Sequence, residues 1–431
     1  MRIQLYIKQA WNQIRQERLY STIYLVGTGL AISLVMVLSI VLYVKFAPLY
    51  PDIHRDRELV LKYGCYYSNE GKSMMSACLS RPLIETCFDS LDGVEAVAIC
   101  KESGREDYVQ PDDRPNQIRV SKRLINPDFW QVYAFRFLAG KPFSAAEFES
   151  GVPVAVITHR LARQLFGETD VVGREISLHF HRFRVVGVVE ACSPLMETCY
   201  ADVYIPFTTQ QETSSGSYGV GPYQAIALVK REASLSQVKA EVDERLKRFS
   251  LALEKGCRFT THGGPDPFWQ SVFRRFSNAA PDIQAELFQY GVVLLLLLLI
   301  PAVSLSGMAD SRMNRHRLEL GVRRAFGAPC STLFMQILVE NLLYTLLGGL
   351  LGLLISFGLV ELVKGWLFSS TMSFDSPGAW SAIELPAASL LNPTVFVIAI
   401  VICFVLNFLS AAIPAWRGSR RPIVESLNQQ K

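Results

Sequence analysis

Four stretches of the chain are free of charged residues and as long as a helix must be to cross a bilayer: 19–44, 287–309, 341–360 and 393–416. A hydrocarbon layer about 30 Å thick, crossed at about 1.5 Å per residue, needs about 20 apolar residues. With the lead-in that ends at Glu340, the third helix is placed at 331–360. The first stretch exceeds the roughly 7–15 apolar residues of a signal peptide, and Lys45-Phe46-Ala47-Pro48 follows it in place of a small-residue cleavage site, so it reads as a retained anchor.

Charge sets the orientation. Arg2, Lys8, Arg15 and Arg18 precede the first span, Arg312, Arg315, Arg317, Arg323 and Arg324 lie between the second and third, and Arg417, Arg420, Arg421 and Lys431 follow the fourth. Segment 361–392 holds Lys364 against Glu361, Asp375 and Glu384. Short cytoplasmic segments carry the Lys and Arg excess, so both termini and the 310–330 loop are expected inside, with 45–286 and 361–392 outside. In the 1–18 lead-in, Ile3, Ile7, Trp11 and Ile14 share a helical face. That suits an amphipathic helix on the inner membrane surface and equally a plain extension of the first span.

Between spans one and two the pattern changes to alternating strand and helix. Short apolar runs at 94–98, 153–157 and 225–229 suit strands, 175–189 a hairpin, and 160–166 (stopped by Gly167) and 235–249 helices. The expected fold is a four-helix membrane protein with a large, two-lobed α+β extracytoplasmic domain at 45–286. Residues 63–80 and 208–221 read as loops.

Composition agrees with membrane spans. Of 431 residues, 50% are hydrophobic and 19% charged, and the net charge of +4 forms no dense basic patch suited to nucleic acid. Seven of the nine cysteines (Cys65, Cys78, Cys87, Cys100, Cys192, Cys199 and Cys257) fall between spans one and two without a C-x-x-C pair, which argues against a zinc site and leaves one or two disulfides open. His179 and His181 straddle a turn and read as surface histidines, and Asp112-Asp113 as a solvated turn. No H-E-x-x-H, G-x-S-x-G or G-x-x-x-x-G-K-[ST] pattern occurs, so neither a catalytic site nor a phosphate loop is expected.

Six segments carry a family resemblance. Glu319-Leu320-Gly321-Val322-Arg323-Arg324-Ala325-Phe326-Gly327-Ala328 resembles the E-I/L-G-I/V-R-R-A-x-G-A signature of FtsX-like and MacB-like ABC transporter permeases. Glu340 with Gly348, Gly349 and Gly352 is similar to the family's L-x-E…G-G-x-x-G segment, and Pro414-Ala415-Trp416-Arg417 with Glu425-Ser426-Leu427 to its ending. Segments 126–143, 154–167 and 185–189 resemble the MacB-type periplasmic core domain.

The resemblance implies a bacterial inner-membrane permease that works as a dimer with a second copy or a related chain. A separate ATPase subunit would bind ATP and magnesium, and a periplasmic adaptor and outer-membrane channel would join in an export system. It implies that Glu319, Leu320, Gly321, Val322, Arg323, Arg324 and Gly327 dock into the ATPase, whose closure moves the outer domain through the spans. Within the family, signalling to a cell-wall hydrolase and lipoprotein release compete with export. MacB itself carries a fused ATPase, whereas this sequence has no phosphate loop. Gly348-x-x-x-Gly352 permits close helix approach, either within the chain or between copies. Glu340 sits at the inner interface or finds a polar partner in the span.

Overall fold

In the computed structural model, the described residues are 8, 11–12, 15–16, 18–68, 71, 73–102, 107–111, 117–178, 180–193, 196–210, 218–274, 278–293, 295–296, 339, 342–344, 346–356, 358–359, 397–398, 401 and 404–405. The 310–330 loop, Glu340, segment 361–392, most of the fourth span, His179 and Asp112-Asp113 lie outside them. The described chain forms two compact units, one built from the apolar helices and one from Lys45–Glu286.

The first unit contains α1 (Arg18–Phe46), of which Ser21–Ile40 is long and apolar enough to cross a membrane. A shorter apolar helix, Leu342–Ser356, belongs to the same unit.

The second unit is an α+β domain. Its strands are β1 (Glu58–Leu61), β2 (Gly64–Ser68), β3 (Ser73–Leu79), β4 (Val94–Glu102), β5 (Asp107–Pro111), β6 (Ile118–Val120), β7 (Lys122–Ile125), β8 (Phe137–Gly140), β9 (Val154–Thr158), β10 (Glu175–Leu178), β11 (His181–Val189), β12 (Val203–Pro206), β13 (Val220–Gly221), β14 (Tyr223–Val229), β15 (Arg258–Thr260) and β16 (Asp266–Pro267). The helices α2 (Arg81–Phe88), α3 (Phe129–Val132), α4 (Ala145–Glu149), α5 (His159–Phe166), α6 (Leu235–Ala252) and α7 (Phe268–Ser271) punctuate them. We label Leu342–Ser356 α8.

Twelve of the strands run in the order β15-β2-β3-β14-β4-β7-β12-β9-β11-β10-β5-β6 of one sheet, which β1 joins beside β14 and β16, β13 beside β3 and β8 beside β11. In place of two separate lobes, the structure shows one compact unit built on this sheet. The halves of the sheet are joined where β4 pairs antiparallel with β7 and β7 pairs parallel with β12. One core runs through both halves, from Leu59, Leu83 and Val242 at one end to Ile157, Leu165 and Val188 at the other.

The apolar runs become the most buried strands: every residue of β9 and β14 is buried. The 175–189 hairpin forms as β10 and β11, with Leu178 opposite His181. Helix α5 starts where Thr158 accepts a hydrogen bond from Leu161 N at 3.3 Å. It stops at Gly167, whose φ of +80° places it in the left-handed region. The expected loop at 63–80 is instead a hairpin, β2 and β3, with Tyr66 opposite Met75. Its small and polar residues hide the alternation, and pairing of β2 with β15 holds the strand in the sheet. Val220–Gly221 form β13, which pairs with β3, so the other expected loop is partly strand.

Candidate functional site

The described residues hold no group of three or more His, Cys, Asp and Glu side chains able to bind a metal. His181 is exposed at the start of β11. Two features stand out instead: a close helix contact in the apolar unit and a pair of buried arginines near the two ends of the α+β unit.

Helices α1 and α8 approach through glycine. A Cβ on Gly352 would lie 2.6 Å from Gly29 O and 3.1 Å from Ile32 Cβ, and one on Gly348 would lie 2.9 Å from Thr28 Cβ. Gly349 is buried beside them. Ser21 Oγ and Tyr344 Oη share a 2.9 Å hydrogen bond at one end, and Ser356 Oγ donates to Met36 Sδ at 3.9 Å at the other. The pairs 21–344, 29–352 and 36–356 rise together, so the helices run parallel. Of the predicted packing residues, Gly348 and Gly352 lie on this seam. Residues 319–324, Gly327 and Glu340 lie outside the described residues. Sequence reasoning missed Ser21, Thr28 and Gly29; their signal is a recurrence of small residues one and two helical turns apart within an apolar span.

At the start of the α+β unit, Arg55 is buried among acceptors. Its Nε donates to Asp52 Oδ2 at 2.8 Å, and its Nη1 donates to Lys45 O at 3.2 Å and Ala47 O at 2.7 Å. Its Nη2 reaches Met196 Sδ at 2.8 Å, and the guanidinium stands 4.4 Å from the Phe268 ring centre. Lys45 belongs to the last turn of α1, where helix carbonyls lack intrahelical donors, so Arg55 caps the helix while neutralising Asp52.

Behind this pair lies Glu58, buried beside Asp52; among the described residues Tyr133 Oη has no hydrogen-bond partner. Burial, and next the Asp52 carboxylate, push the Glu58 pKa well above its ordinary value. Burial and then the charges of Glu58 and Asp52 raise the Tyr133 hydroxyl in the same way.

Near the end of that unit, Arg274 forms a buried ion pair with Asp266 through two contacts, one of them Nη2 to Oδ1 at 3.0 Å. It also donates to Thr261 O at 3.2 Å, His262 O at 3.2 Å and Ala279 O at 3.1 Å. Burial and the positive charges of Arg274 and Arg258 hold the His262 pKa below its ordinary value. The Phe46 and Phe273 rings, 5.5 Å apart, join the unit's two ends. These arginines escaped sequence reasoning because their partners are scattered along the chain. The one local signal is Asp52-x-x-Arg55 directly after an apolar span.

Residues 25–245 match the family described as the MacB-like periplasmic core domain, and residues 291–423 the FtsX-like permease C-terminal domain. An uncharacterised ABC transporter permease of Bacillus subtilis, YknZ, is 21% identical over 312 residues, covering 70% of this chain and 74% of its own. The Escherichia coli macrolide export ATP-binding/permease protein MacB is 28% identical over 258 residues, covering 58% of this chain. This chain spans only 37% of MacB's length. Among solved structures, the periplasmic region of MacB from Actinobacillus actinomycetemcomitans is 14% identical with a TM-score of 0.35, covering 49% of this chain and 92% of that one.

Proposed function

The chain belongs to the ABC transporter permeases that combine a MacB-like periplasmic core domain with an FtsX-like C-terminal domain, and from that premise we propose that it relays the state of a separate ATPase to its outer domain. No phosphate loop occurs in this sequence, so ATP and magnesium are assigned to the partner ATPase. Arg323 and Arg324, with Glu319, Leu320, Gly321, Val322 and Gly327, form the docking element of the 310–330 loop, their guanidinium groups facing acidic ATPase surface. The permease works as a dimer in the inner membrane, with both termini cytoplasmic and residues 45–286 outside.

The observation that carries this reading is the course of α1. It is unbroken from Arg18 to Phe46, and Arg55 holds its last turn by the Lys45 and Ala47 carbonyls. An intact helix transmits displacement along its axis, and a buried, multiply bonded arginine limits slack at its end. The parallel α1 and α8 suit the four-pass arrangement, in which spans one and three cross in the same direction. Leu342, Leu346, Leu350 and Leu354 recur every fourth residue on an exposed face of α8, which suits contact with lipid or with a further helix. Gly348, Gly349 and Gly352 then serve packing within the chain.

The transported or signalled species is assigned by likeness alone. The similarity to a macrolide exporter favours export, with an adaptor and outer-membrane channel as further partners. FtsX-type signalling to a cell-wall hydrolase and lipoprotein release are the alternatives. Pull-down from gently solubilised membranes tests the proposal. The intact chain is expected to recover a P-loop ATPase, and a chain with Glu319, Arg323 and Arg324 replaced by Ala is expected to lose it. Equal recovery by both would overturn the docking assignment.

A further inference from the structure

One corner of the α+β unit gathers cationic and donor groups on an open sheet face. In strands β15, β2 and β3, Arg258 stands opposite Tyr67 and Tyr67 opposite Met74, so the three side chains form one row on the same face. The alternate positions Tyr66 and Phe259 turn to the other face and pack on the core. Within the row, the Arg258 guanidinium lies 5.1 Å from the Tyr67 ring centre, and Met74 is exposed.

The loop after β15 brings a fourth group. His262 Nε2 and Tyr67 Oη share a 3.3 Å hydrogen bond, with the two rings edge-on. The His262 backbone has a φ of +48° and is held from both sides. Its N–H donates to Thr260 Oγ1 at 3.1 Å, and its carbonyl accepts from Arg274 Nη2 at 3.2 Å. Lys239 donates to the Gly263 and Pro265 carbonyls of the same loop. The imidazole is therefore fixed in place before any ligand arrives, which lowers the cost of binding.

The charges at this corner are unbalanced. Arg274 is matched by Asp266, whereas the exposed Arg258 forms no ion pair among the described residues. Burial, and then the positive charges of Arg274 and Arg258, hold the His262 pKa down. An oxyanion placed here meets a guanidinium fork, an imidazole and a phenolic hydroxyl, and the Met74 side chain and Tyr67 ring offer apolar surface beside it.

We propose that Arg258, Tyr67, His262 and Met74 form a binding site for an oxyanion carried on an apolar body, that is, a carboxylate or phosphate attached to a ring or hydrocarbon chain. Arg258 takes two of the oxygens, Tyr67 and His262 donate to the anion from its other side, and the apolar body lies along Met74. The site shares no residue with the ATPase-docking loop.

The test uses the full chain in lipid nanodiscs with carbon-labelled histidine rings, whose titration is followed by NMR; His262→Gln identifies the His262 signal. Benzoate and phenyl phosphate are the probes, compared with acetate, inorganic phosphate and chloride at matched ionic strength. At saturation the His262 pKa is expected to rise by about one unit, because a neighbouring negative charge favours the imidazolium. Arg258→Gln is expected to weaken binding about tenfold or more, through loss of a charge-assisted hydrogen-bond pair. Arg248→Gln, which removes an exposed cation elsewhere, should leave the response intact. The tighter of the two probes assigns the anion as carboxylate or phosphate. A His262 signal that neither probe moves overturns the site. A rise that chloride reproduces, or that Arg258→Gln leaves at full size, overturns oxyanion recognition by Arg258. Acetate or inorganic phosphate binding as tightly as its aromatic counterpart overturns the apolar half of the proposal.

Discussion

Replacing Arg55 by Met keeps an unbranched apolar stem and removes the guanidinium with its charge and donors. Asp52, with no exposed side-chain surface, then loses its cation, and the Lys45 and Ala47 carbonyls lose their donor. Removing one partner of a buried ion pair costs about 3–5 kcal/mol, because the desolvated charge that remains is uncompensated. For a domain of this size each kcal/mol moves the midpoint by about 2–4 °C, so a fall of about 6–20 °C is expected. The assay is thermal unfolding of the detergent-solubilised full chain, followed by tryptophan fluorescence from the domain's Trp130 and Trp269. Asp52→Asn in the Arg55→Met background removes the stranded charge and should restore at least half of the loss. Arg248→Met breaks an exposed pair with Glu244 and should cost no more than about 1 kcal/mol. The reasoning is refuted if Arg55→Met unfolds within about 2 °C of the parent, or if the double variant is no more stable than the single one.

Two further outcomes follow from the same structure. The folded pKa of Glu58 lies well above its ordinary value of 4.5. Its contribution is therefore fully present below that pH and declines as pH rises, by up to about 1.4 kcal/mol per unit until the folded pKa is passed. Glu58→Gln, a permanent neutral mimic, should match the parent near pH 4.5 and exceed it at pH 8 in chemical denaturation; parallel pH profiles would contradict this. Gly352→Leu should force α8 off Gly29 and Ile32 at about 1–3 kcal/mol. Gly358→Leu meets nothing within 4 Å and should leave thermal stability unchanged; equal effects from the two substitutions would remove the case for a tight seam.

What was legible in the sequence was whatever local pattern decides. The charge-free block 19–44 was readable because the bilayer imposes a length, and Ser21–Ile40 is long and apolar enough to cross it; β9 and β14 were readable because strands buried on both faces become unbroken apolar runs. The β2–β3 hairpin was hidden because its Gly, Ser and Cys residues carry little hydropathy contrast, and its strands are set by long-range pairing. The seam was half readable. Gly348 and Gly352 form a recognisable spacing, but Thr28 and Gly29 gain meaning only when α8 lies against them. The Arg55 cluster draws on residues 45, 47, 52, 196 and 268, which no window along the chain brings together.

The central claim is that ATPase state reaches the outer domain through this chain. The direct test is the distance between spin labels at Lys255→Cys on the two permease copies of a reconstituted complex, with Cys78 and Cys257 replaced by Ser. It is measured by pulsed electron paramagnetic resonance with ADP and with a non-hydrolysable ATP analogue. The account predicts a shift in the distance distribution between the two nucleotides, and loss of that shift when Arg323 and Arg324 are replaced by Ala. An unchanged distribution in a complex that still hydrolyses ATP would contradict it.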